Sequence, residues 1–177
     1  LQRRNAKAVN FGIVYGISSF GLSQDLSITR KEAAEYIDRY FETYPGIKKF
    51  LDDAVAHAKE QGYVETMFAR RRYVQDVNAK NGRIRAFAER VCRNTPIQGT
   101  AADLIKLAMV HVYKRLQEER LDARIILQVH DELILEVSQH DKERAKEILK
   151  YEMENAHHLS VPLIAEIGEG ETWYDAH

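Results

Sequence analysis

Hydrophobic residues in the first half of the chain recur every three or four positions, which is the spacing of amphipathic helices. The predicted helices cover residues 5–15, 19–25, 30–43 and 45–61. Thr29 and Glu32 form the pattern of a capping box at the start of the third helix. Pro45 ends that helix, because a proline disfavours helical backbone at the residue before it, and Gly62 predicts the C-cap of the fourth. The first half is therefore predicted to be mainly helical.

The next part of the chain is predicted to hold a short strand and two further helices. The strand covers residues 63–68 and leads into a basic loop, RRRY, at residues 70–73. A helix is expected over 83–93 and should end before Pro96, which lacks the amide hydrogen that a helix interior uses. A long amphipathic helix is then predicted over 100–119.

The pattern then changes to the β-rich composition that favours strands. Residues 123–129 and 133–137 predict a β-hairpin. Its connection contains three ionisable residues, which are His130, Asp131 and Glu132. A helix over 142–155 and a strand over 161–167 complete the predicted elements.

The order of these elements predicts an α+β fold with two lobes. A helical lobe is expected over residues 1–94, and a lobe with a small antiparallel sheet and packed helices over residues 95–177. The composition, with 45% hydrophobic and 30% charged residues, is ordinary for a globular protein. A single cysteine, Cys92, excludes an internal disulfide framework and a zinc site built on thiolates. No apolar run approaches the roughly 18 residues that a transmembrane helix needs, so we expect no membrane partner.

Charge is divided unevenly along the chain. Residues 1–94 hold 17 basic and 11 acidic side chains, a net charge of +6, whereas residues 95–177 hold 9 and 16, a net charge of −7. Eight basic and two acidic residues fall within residues 66–93 alone. Such a concentration of positive charge favours binding of a polyanion, although a solvated surface would account for any single run of charge.

Arg3, Lys7, Phe11 and Tyr15 are spaced four residues apart in the first predicted helix. Four residues turn a helix by about 400°, so these side chains form one stripe with cations at its start and rings at its end. A nucleoside triphosphate has the same order of charge and ring and would fit this stripe. The alternative is that the rings are core residues and that the cations extend to the surface over buried alkyl chains.

Two other segments carry candidate binding chemistry. Arginines between residues 70 and 93 can neutralise nucleic-acid phosphates, and Asn94 and Gln98 can donate to base edges in a minor groove. As single residues, these amides are more often helix caps or turn residues. Asp131 and Glu132 at a hairpin tip present the carboxylate oxygens that Mg²⁺ prefers, and two such ions about 3.5–4 Å apart can support phosphoryl transfer. An ordinary solvated turn is the alternative there.

Together, these segments resemble the C-terminal fingers and palm portion of bacterial family A DNA polymerases. RRNAKAVNFGIVYG is similar to the family's fingers-helix motif, and QVHDE is similar to the palm motif that carries a catalytic aspartate. YVETMFARRRY and NTPIQGTAADLIK are similar to further segments of the family. The resemblance runs from about Arg3 to the end of the chain, and it implies template-directed DNA synthesis by two-metal nucleotidyl transfer.

The resemblance implies a role for each matching residue. Arg3 and Lys7 are expected to bind the triphosphate of the incoming dNTP, Phe11 to stack near its sugar and base, and Tyr15 to lie by the templating base. The residues expected to contact primer–template DNA are Arg70, Arg71, Arg72, Arg90, Asn94, Gln98 and His130. The residues expected to act in catalysis are Lys7, Asp131 and Glu132. The two acids are also the expected ligands of Mg²⁺, of which the complete site would hold two ions.

Two departures from the family pattern affect these expectations. Ala69 stands where a glycine is expected before the arginine triplet, which bears on the backbone of that loop. The earlier palm motif with the second catalytic aspartate, of the type DYSQIELR, is not in the chain, so we expect that aspartate upstream of Leu1, in the remainder of the polymerase.

The resemblance also implies a location, and we expect a bacterial cytoplasmic protein that associates with the nucleoid.

Two further hypotheses stay open on the sequence. The isolated chain could be a dNTP- and DNA-binding fragment without turnover, since one strong carboxylate holds two metals poorly, or a structural fragment without nucleotide chemistry. The palm sheet of such a polymerase also includes upstream strands. Ile125, Leu127, Ile134 or their neighbours should therefore present an exposed edge or apolar face, through which we expect the isolated chain to self-associate.

Overall fold

The computed structural model describes the backbone of residues 2–176 and the side chains of residues 6, 7 and 9–176. It divides into two compact units, Leu1–Thr100 and Ala101–His177, called here the N-terminal and C-terminal units. No charged residue lies between 95 and 100, so the units carry the same net charges as the two halves of the sequence, +6 and −7. Among the described helices, none is long and apolar enough to cross a membrane.

Four helices form the first part of the N-terminal unit, as the sequence predicts. They are α1 Gln2–Val14, α2 Ser19–Leu26, α3 Arg30–Thr43 and α4 Pro45–Gln61. The predicted capping box is present at α3: the Glu32 amide donates to Thr29 Oγ1 (3.2 Å), and the Thr29 amide donates to Glu32 Oε2 (2.8 Å). Hydrogen bonds from the Thr29 side chain and backbone lower the pKa of Glu32. Gly62 ends α4 with φ +81°, a left-handed C-cap.

A short hairpin follows α4, and it differs from the prediction. β1 Tyr63–Glu65 pairs antiparallel with β2 Arg71–Tyr73, and a 3₁₀ helix, Gln75–Asn78, comes next. The predicted strand extends three residues too far, and most of the predicted RRRY loop is a strand. The reason is a turn that begins at Thr66. The Thr66 amide donates to the Arg70 carbonyl (3.0 Å), so the residues that follow Arg70 lie beside β1.

A single helix, α5 Gly82–Glu118, replaces the two helices predicted on either side of Pro96. The prediction of a break was wrong, although an interior proline costs about 3 kcal/mol relative to alanine. Threonine side chains near the proline bond back to the helix: Thr95 Oγ1 donates to the Val91 carbonyl (2.7 Å), and Thr100 Oγ1 donates to the Pro96 carbonyl (2.5 Å). The compensation for the proline comes from packing on both sides of it.

The apolar face of α5 forms part of the core of each unit. In the N-terminal unit α5 joins a buried cluster that contains Val55, Ala58, Val64, Val74, Val77, Ala88 and Cys92. In the C-terminal unit the buried cluster contains Ala108, Val112, Leu116, Leu133, Ala145, Ile148 and Ala156. Burial of a valine or leucine side chain contributes roughly 1.5–3 kcal/mol, so the buried α5 side chains together offset the penalty of the proline.

The C-terminal unit contains the predicted hairpin, β3 Ala123–Val129 and β4 Glu132–Val137, and the predicted helix, α6 Lys142–Glu154. The last residue of β3 pairs with the first residue of β4. The connection is therefore a turn of two residues, His130 and Asp131.

One face of this hairpin packs on the core and the other exposes apolar side chains. Ile125 and its partner Leu135 pack against the core. Ile126 is an extra residue in β3, a bulge that changes the alternation after it. Leu127, which pairs with the half-buried Ile134, is consequently 43% exposed. The predicted exposed apolar face is thus present at Ile126 and Leu127, but Ile125 is not part of it.

A network of ion pairs joins the end of α5 to α6. Arg144 Nε lies 2.6 Å from Glu119 Oε2, and Arg115 Nε lies 2.6 Å from Glu119 Oε1. The hydrogen bond from Arg144, followed by that from Arg115, lowers the pKa of Glu119 to about 2. Because both arginine side chains are exposed, solvent and salt screen this network.

The strand predicted over residues 161–167 is wrong, because the chain is irregular there. The backbone of Ala165 bonds to side chains of α6: its amide donates to Glu154 Oε1 (3.1 Å), and its carbonyl accepts from Lys150 Nζ (2.7 Å). Within residues 2–176, both sheets have two strands and neither includes this segment. Its β-branched residues therefore have no strand beside them to pair with.

Candidate nucleotide and nucleic-acid sites

Three of the four residues of the stripe predicted on the first helix, Lys7, Phe11 and Tyr15, lie next to one another on α1. Lys7 Nζ lies 5.8 Å from the centroid of the Phe11 ring. The Phe11 and Tyr15 rings stack, with centroids 6.1 Å apart and 26° between their planes. Phe11 is 51% exposed and is not a core residue, whereas Tyr15 is half-buried. The side chain of Arg3 lies outside the described residues. The described stripe presents a cation and two stacked rings, which together can bind an anion that carries a ring.

The C-terminal end of α1 lies beside α5. Gly16 follows Tyr15 with φ +78°, a left-handed conformation that strains other residues. A Cβ at Gly16 would lie 3.5 Å from Arg90 Cγ and 3.7 Å from Arg93 Cδ. The aromatic end of the stripe on α1 therefore lies close to the arginines of α5. Within the N-terminal unit, predicted nucleotide-binding and DNA-binding residues are neighbours at this point.

Arg90, Asn94 and Gln98 form a second stripe, because α5 continues through Pro96. They are four residues apart on one helix and so share a face. Arg90 and Gln98 are exposed, and the Arg90 guanidinium carbon lies 5.8 Å from the centroid of the Phe87 ring. Asn94 is half-buried, and its Oδ1 is buried without a hydrogen-bond partner among the described residues. Both amides lie in the helix interior, which excludes the alternative that they are caps or turn residues.

Arginines 70–72 lie on the first hairpin and differ in their contacts, although all three are exposed. Arg71 Nε donates to Glu65 Oε1 (2.8 Å), and this hydrogen bond raises the pKa of Arg71. The Arg71 guanidinium also lies 4.5 Å from the centroid of the Tyr63 ring. Arg72 Nη1 donates to Thr95 Oγ1 (3.4 Å) on α5. Glu65 therefore neutralises part of the charge of Arg71, whereas Arg72 reaches toward α5.

The turn between β3 and β4 presents one exposed carboxylate. His130 has φ +51°, and its carbonyl accepts from Gln128 Nε2 (2.7 Å), which fixes the turn beside Asp131. Asp131 is exposed, and Glu132 is half-buried as the first residue of β4. Both offer the hard oxygen ligands that Mg²⁺ prefers, but they supply only part of an octahedral set of ligands. The part of the chain that the structure describes contains no group of three or more side chains that could hold a metal.

Sequence reasoning missed a contact between the first hairpin and α5. A Cβ at Gly99 would lie 2.6 Å from Thr66 Cγ2, and the Met67 amide donates to Thr100 Oγ1 (2.9 Å). The available signal was Gly99 itself. A glycine inside a helix costs about 1 kcal/mol relative to alanine, so a close contact is a physical reason for its presence.

The chain is similar to a DNA polymerase domain of known structure. That structure is the POL domain of Pol1 from M. smegmatis in complex with DNA primer-template and dNTP. The two match with a TM-score of 0.94 and 41% sequence identity, over 98% of this chain and 31% of that chain. The fold is therefore that of a fragment of a right-hand DNA polymerase, and the predicted α+β class is confirmed.

The family is defined more narrowly by sequence. The sequence model of DNA polymerase family A matches residues 1–175, and the chain belongs to this family. DNA polymerase I of Geobacillus stearothermophilus is 57% identical over 174 residues, and DNA polymerase I of Bacillus caldotenax is 56% identical over 174 residues. Each match covers 98% of this chain and 20% of the relative, so the chain spans about a fifth of the length of the curated relatives it matches. The predicted family is confirmed, while the roles of individual residues stay predictions.

Proposed function

We propose that this chain is part of a DNA-directed DNA polymerase, in which residues 1–94 belong to the fingers and residues 95–177 to the palm. The observation that carries the proposal is the match to DNA polymerase family A over residues 1–175. Its partners are primer–template DNA, dNTP and the remainder of the polymerase chain. The similar POL domain, which is in complex with DNA primer-template and dNTP, supports the two substrates. The enzyme acts in the bacterial cytoplasm, at the nucleoid.

In the proposed reaction, the 3′-hydroxyl of the primer gives its proton to solvent water, and its oxygen forms a bond to the α-phosphorus of the incoming dNTP. The bond between the α-phosphorus and the oxygen that bridges to the β-phosphate breaks, and pyrophosphate leaves. Arg3 and Lys7 bind the triphosphate, and the Lys7 ammonium stabilises the charge that develops on pyrophosphate. Phe11 contacts the sugar and base, and Tyr15 lies by the templating base. The exposure of Phe11 and its stacking on Tyr15 support these assignments.

The proposed DNA-binding surface combines the stripe on α5 with the first hairpin. Arg90, Asn94 and Gln98 face the minor groove, where guanidinium and amide donors meet the acceptors on base edges. The arginines at 70–72 neutralise backbone phosphates, and His130 lies near the primer end. The net charge of +6 on the N-terminal unit supports binding of a polyanion.

The proposed metal ligands are Asp131 and Glu132, and the proposed ion is Mg²⁺, with two ions in the complete site. When bound, Mg²⁺ neutralises charge on phosphate oxygens and orients the reacting groups. Asp131 is exposed and can be reached by substrate phosphates, whereas Glu132 is half-buried and is assigned an auxiliary role. Since the two acids supply only part of the ligands, the others come from nucleotide phosphates, water and the rest of the polymerase chain.

Substitution of Asp131 tests the proposal. In the complete polymerase, Asp131→Ala is expected to abolish primer extension, while DNA binding persists because the stripe on α5 is unchanged. Glu136→Ala is the matched control. Glu136 is an exposed acid of the same hairpin that pairs with Arg124, and exposed pairs contribute only about 0–1 kcal/mol. Extension by Asp131→Ala at nearly the wild-type rate would contradict the assignment.

The alternative function, for the 177-residue chain in isolation, is a dNTP- and DNA-binding fragment without turnover. The observation that favours it is that the sequence contains only one of the family's two catalytic-aspartate motifs, QVHDE, and one strong carboxylate holds two metals poorly. The isolated chain is then expected to bind duplex DNA with salt-dependent affinity and not to extend a primer. Primer extension by the isolated chain would refute this alternative. Absence of both DNA and dNTP binding would leave only a structural role.

A further inference from the structure

A cavity of about 170 Å³ lies inside the N-terminal unit, where α1, α3, α4 and α5 come together. Most of its walls are apolar side chains, namely Ile13, Ile17, Ile37, Phe41 and Leu51. Ile13 and Leu51 are buried, so the inner end of the cavity is shielded from solvent. Walls of this kind favour a ligand with an apolar body.

The cavity lies behind the stripe on α1 that is proposed to bind dNTP. Ile13 comes two residues after Phe11, which places the two side chains about 200° apart around the helix. Phe11 faces solvent, whereas Ile13 is buried and forms a wall of the cavity. A ligand in the cavity would therefore be separated from dNTP by the body of α1.

The charged side chains that line the cavity are two cations and one carboxylate, a net charge of +1. They are Lys48, Arg93 and Asp52. Lys48 Nζ lies 2.6 Å from Asp52 Oδ2, so these two charges neutralise each other. Both side chains are more than half exposed, which places the mouth of the cavity beside them. Arg93 therefore carries the excess positive charge.

Arg93 is half-buried and is not matched by a close partner. Its side chain is 23% exposed, and its Nη2 lies 3.8 Å from Glu89 Oε2, which is too long for a hydrogen bond. Glu89 instead accepts a hydrogen bond from Lys59 Nζ (2.7 Å). Among the described residues, none accepts a hydrogen bond from the Arg93 guanidinium. A guanidinium in this position binds a carboxylate with less screening by solvent than an exposed one does.

We propose that this cavity binds a small monocarboxylate that carries one aromatic ring. A cavity of about 150 Å³ is known to hold benzene, so one six-membered ring fits the volume found here. The apolar walls contact the ring, and Arg93 donates two parallel hydrogen bonds to the carboxylate. A single negative charge also matches the net charge of the lining. The inference does not rest on the proposed function, because the ligand is neither dNTP nor DNA.

Binding of 4-fluorobenzoate, a monocarboxylate of this size, to the complete polymerase tests the proposal. Fluorine NMR is expected to show saturable binding with a dissociation constant of about 1 mM, an ordinary affinity for so small a ligand. The matched control is 4-fluorobenzylamine, which has the same ring with a positive charge and is not expected to displace 4-fluorobenzoate. Absence of saturable binding would mean that the cavity holds only water and would overturn the proposal. Displacement by the amine as effective as that by unlabelled benzoate would also overturn it.

Removal of the guanidinium tests the role of Arg93. Arg93→Met keeps an unbranched apolar chain without the charge, so the dissociation constant is expected to rise about tenfold, as for one lost charge-assisted hydrogen bond. Arg39→Met is the matched control, since Arg39 is an exposed arginine of α3 that does not line the cavity. This control should bind 4-fluorobenzoate like wild type. An unchanged dissociation constant in Arg93→Met would overturn the assigned role.

Two further substitutions locate the bound ring. Ile37→Phe enlarges a wall of the cavity and is expected to abolish binding, while the melting temperature shows that the variant is folded. A folded Ile37→Phe variant that binds like wild type would overturn the location. Lys7 and Phe11 also present a cation beside a ring, on the other face of α1. Loss of binding in Lys7→Met, but not in Arg93→Met, would place the ligand there and overturn the proposal.

Discussion

Ala69 holds a backbone conformation that favours glycine, so Ala69→Gly is expected to stabilise the first hairpin. Its φ is +58°, and its amide donates to the Thr66 carbonyl (3.0 Å) within the turn. A residue with a side chain costs about 1–2 kcal/mol in this conformation. Glycine removes that cost but gives back roughly 0.4–1 kcal/mol, because the unfolded chain gains freedom. Since Ala69 is exposed and packs against little, the net gain is about 0.5–1 kcal/mol.

Hydrogen exchange of the amides of the first hairpin measures this gain in stability. A tenfold change in an equilibrium corresponds to about 1.4 kcal/mol. Amides of β1 and β2 that exchange through opening of the hairpin should therefore exchange about 2- to 5-fold more slowly in Ala69→Gly. Ala69→Val is the opposite control, because a β-branched residue is strained further at positive φ, and its amides should exchange faster. Equal or faster exchange in Ala69→Gly would refute the reasoning that backbone strain is stored at this position.

Phe11→Ala is expected to raise the KM for dNTP with little change in melting temperature, because the ring is 51% exposed. Tyr36→Ala is the control, since Tyr36 lies on α3 and is equally exposed. An unchanged KM in Phe11→Ala would contradict the proposed contact. Glu119→Gln should flatten the pH dependence of stability between pH 4.5 and about 2. The folded-state pKa of Glu119, about 2, lies below the ordinary 4.5, so its stabilisation is present above pH 4.5 and is lost as the pH falls toward 2. Denaturant unfolding at several pH values measures the free energy of unfolding of variant and wild type. If the two free energies fall in parallel as the pH is lowered, the prediction is wrong. The isolated chain is expected to self-associate through the exposed Leu127, and the Leu127→Lys variant is expected to sediment as a monomer. A wild-type chain that is monomeric at high concentration would disprove the self-association.

Most helix boundaries were predictable because their signals act locally. The capping box of Thr29 and Glu32 and the left-handed cap at Gly62 involve groups within a few residues of each other, so they form without help from distant contacts. The hairpin of β3 and β4 was predictable for a similar reason. Two apolar runs joined by so short a connection favour pairing with each other, as β3 and β4 do.

The errors arose where contacts between distant residues decide the structure. Pro96 disfavours a helix locally, yet α5 continues because its apolar face is buried on both sides of the proline. Residues 161–167 have the composition of a strand, but side chains of α6 bond the backbone there. Local propensity predicts structure poorly at such positions, because it takes no account of the distant residues that contact them in the fold.

The candidate sites were predictable as residue types and only partly as arrangements. The stripe on α1 followed from spacing within one helix, and its stacked rings are present. The second stripe was not predictable as a stripe, because Asn94 and Gln98 align only when α5 continues through Pro96. The ion pair of Arg71 with Glu65 depends on the register of β1 and β2, which propensity alone did not locate.

Strained backbone conformations in the chain occur in two settings. The described non-glycine residues with positive φ are Ser27, Ala69, Arg120 and His130. The first and third lie at the ends of α2 and α5, where left-handed residues commonly terminate helices. The other two lie in the two hairpin turns, directly before Arg70 and Asp131, and both of these charged side chains are exposed. Strain persists only where the surroundings fix it, and it is concentrated at functional sites. In each hairpin the left-handed residue thus directly precedes an exposed charged side chain, which is a proposed phosphate contact at Arg70 and a proposed metal ligand at Asp131.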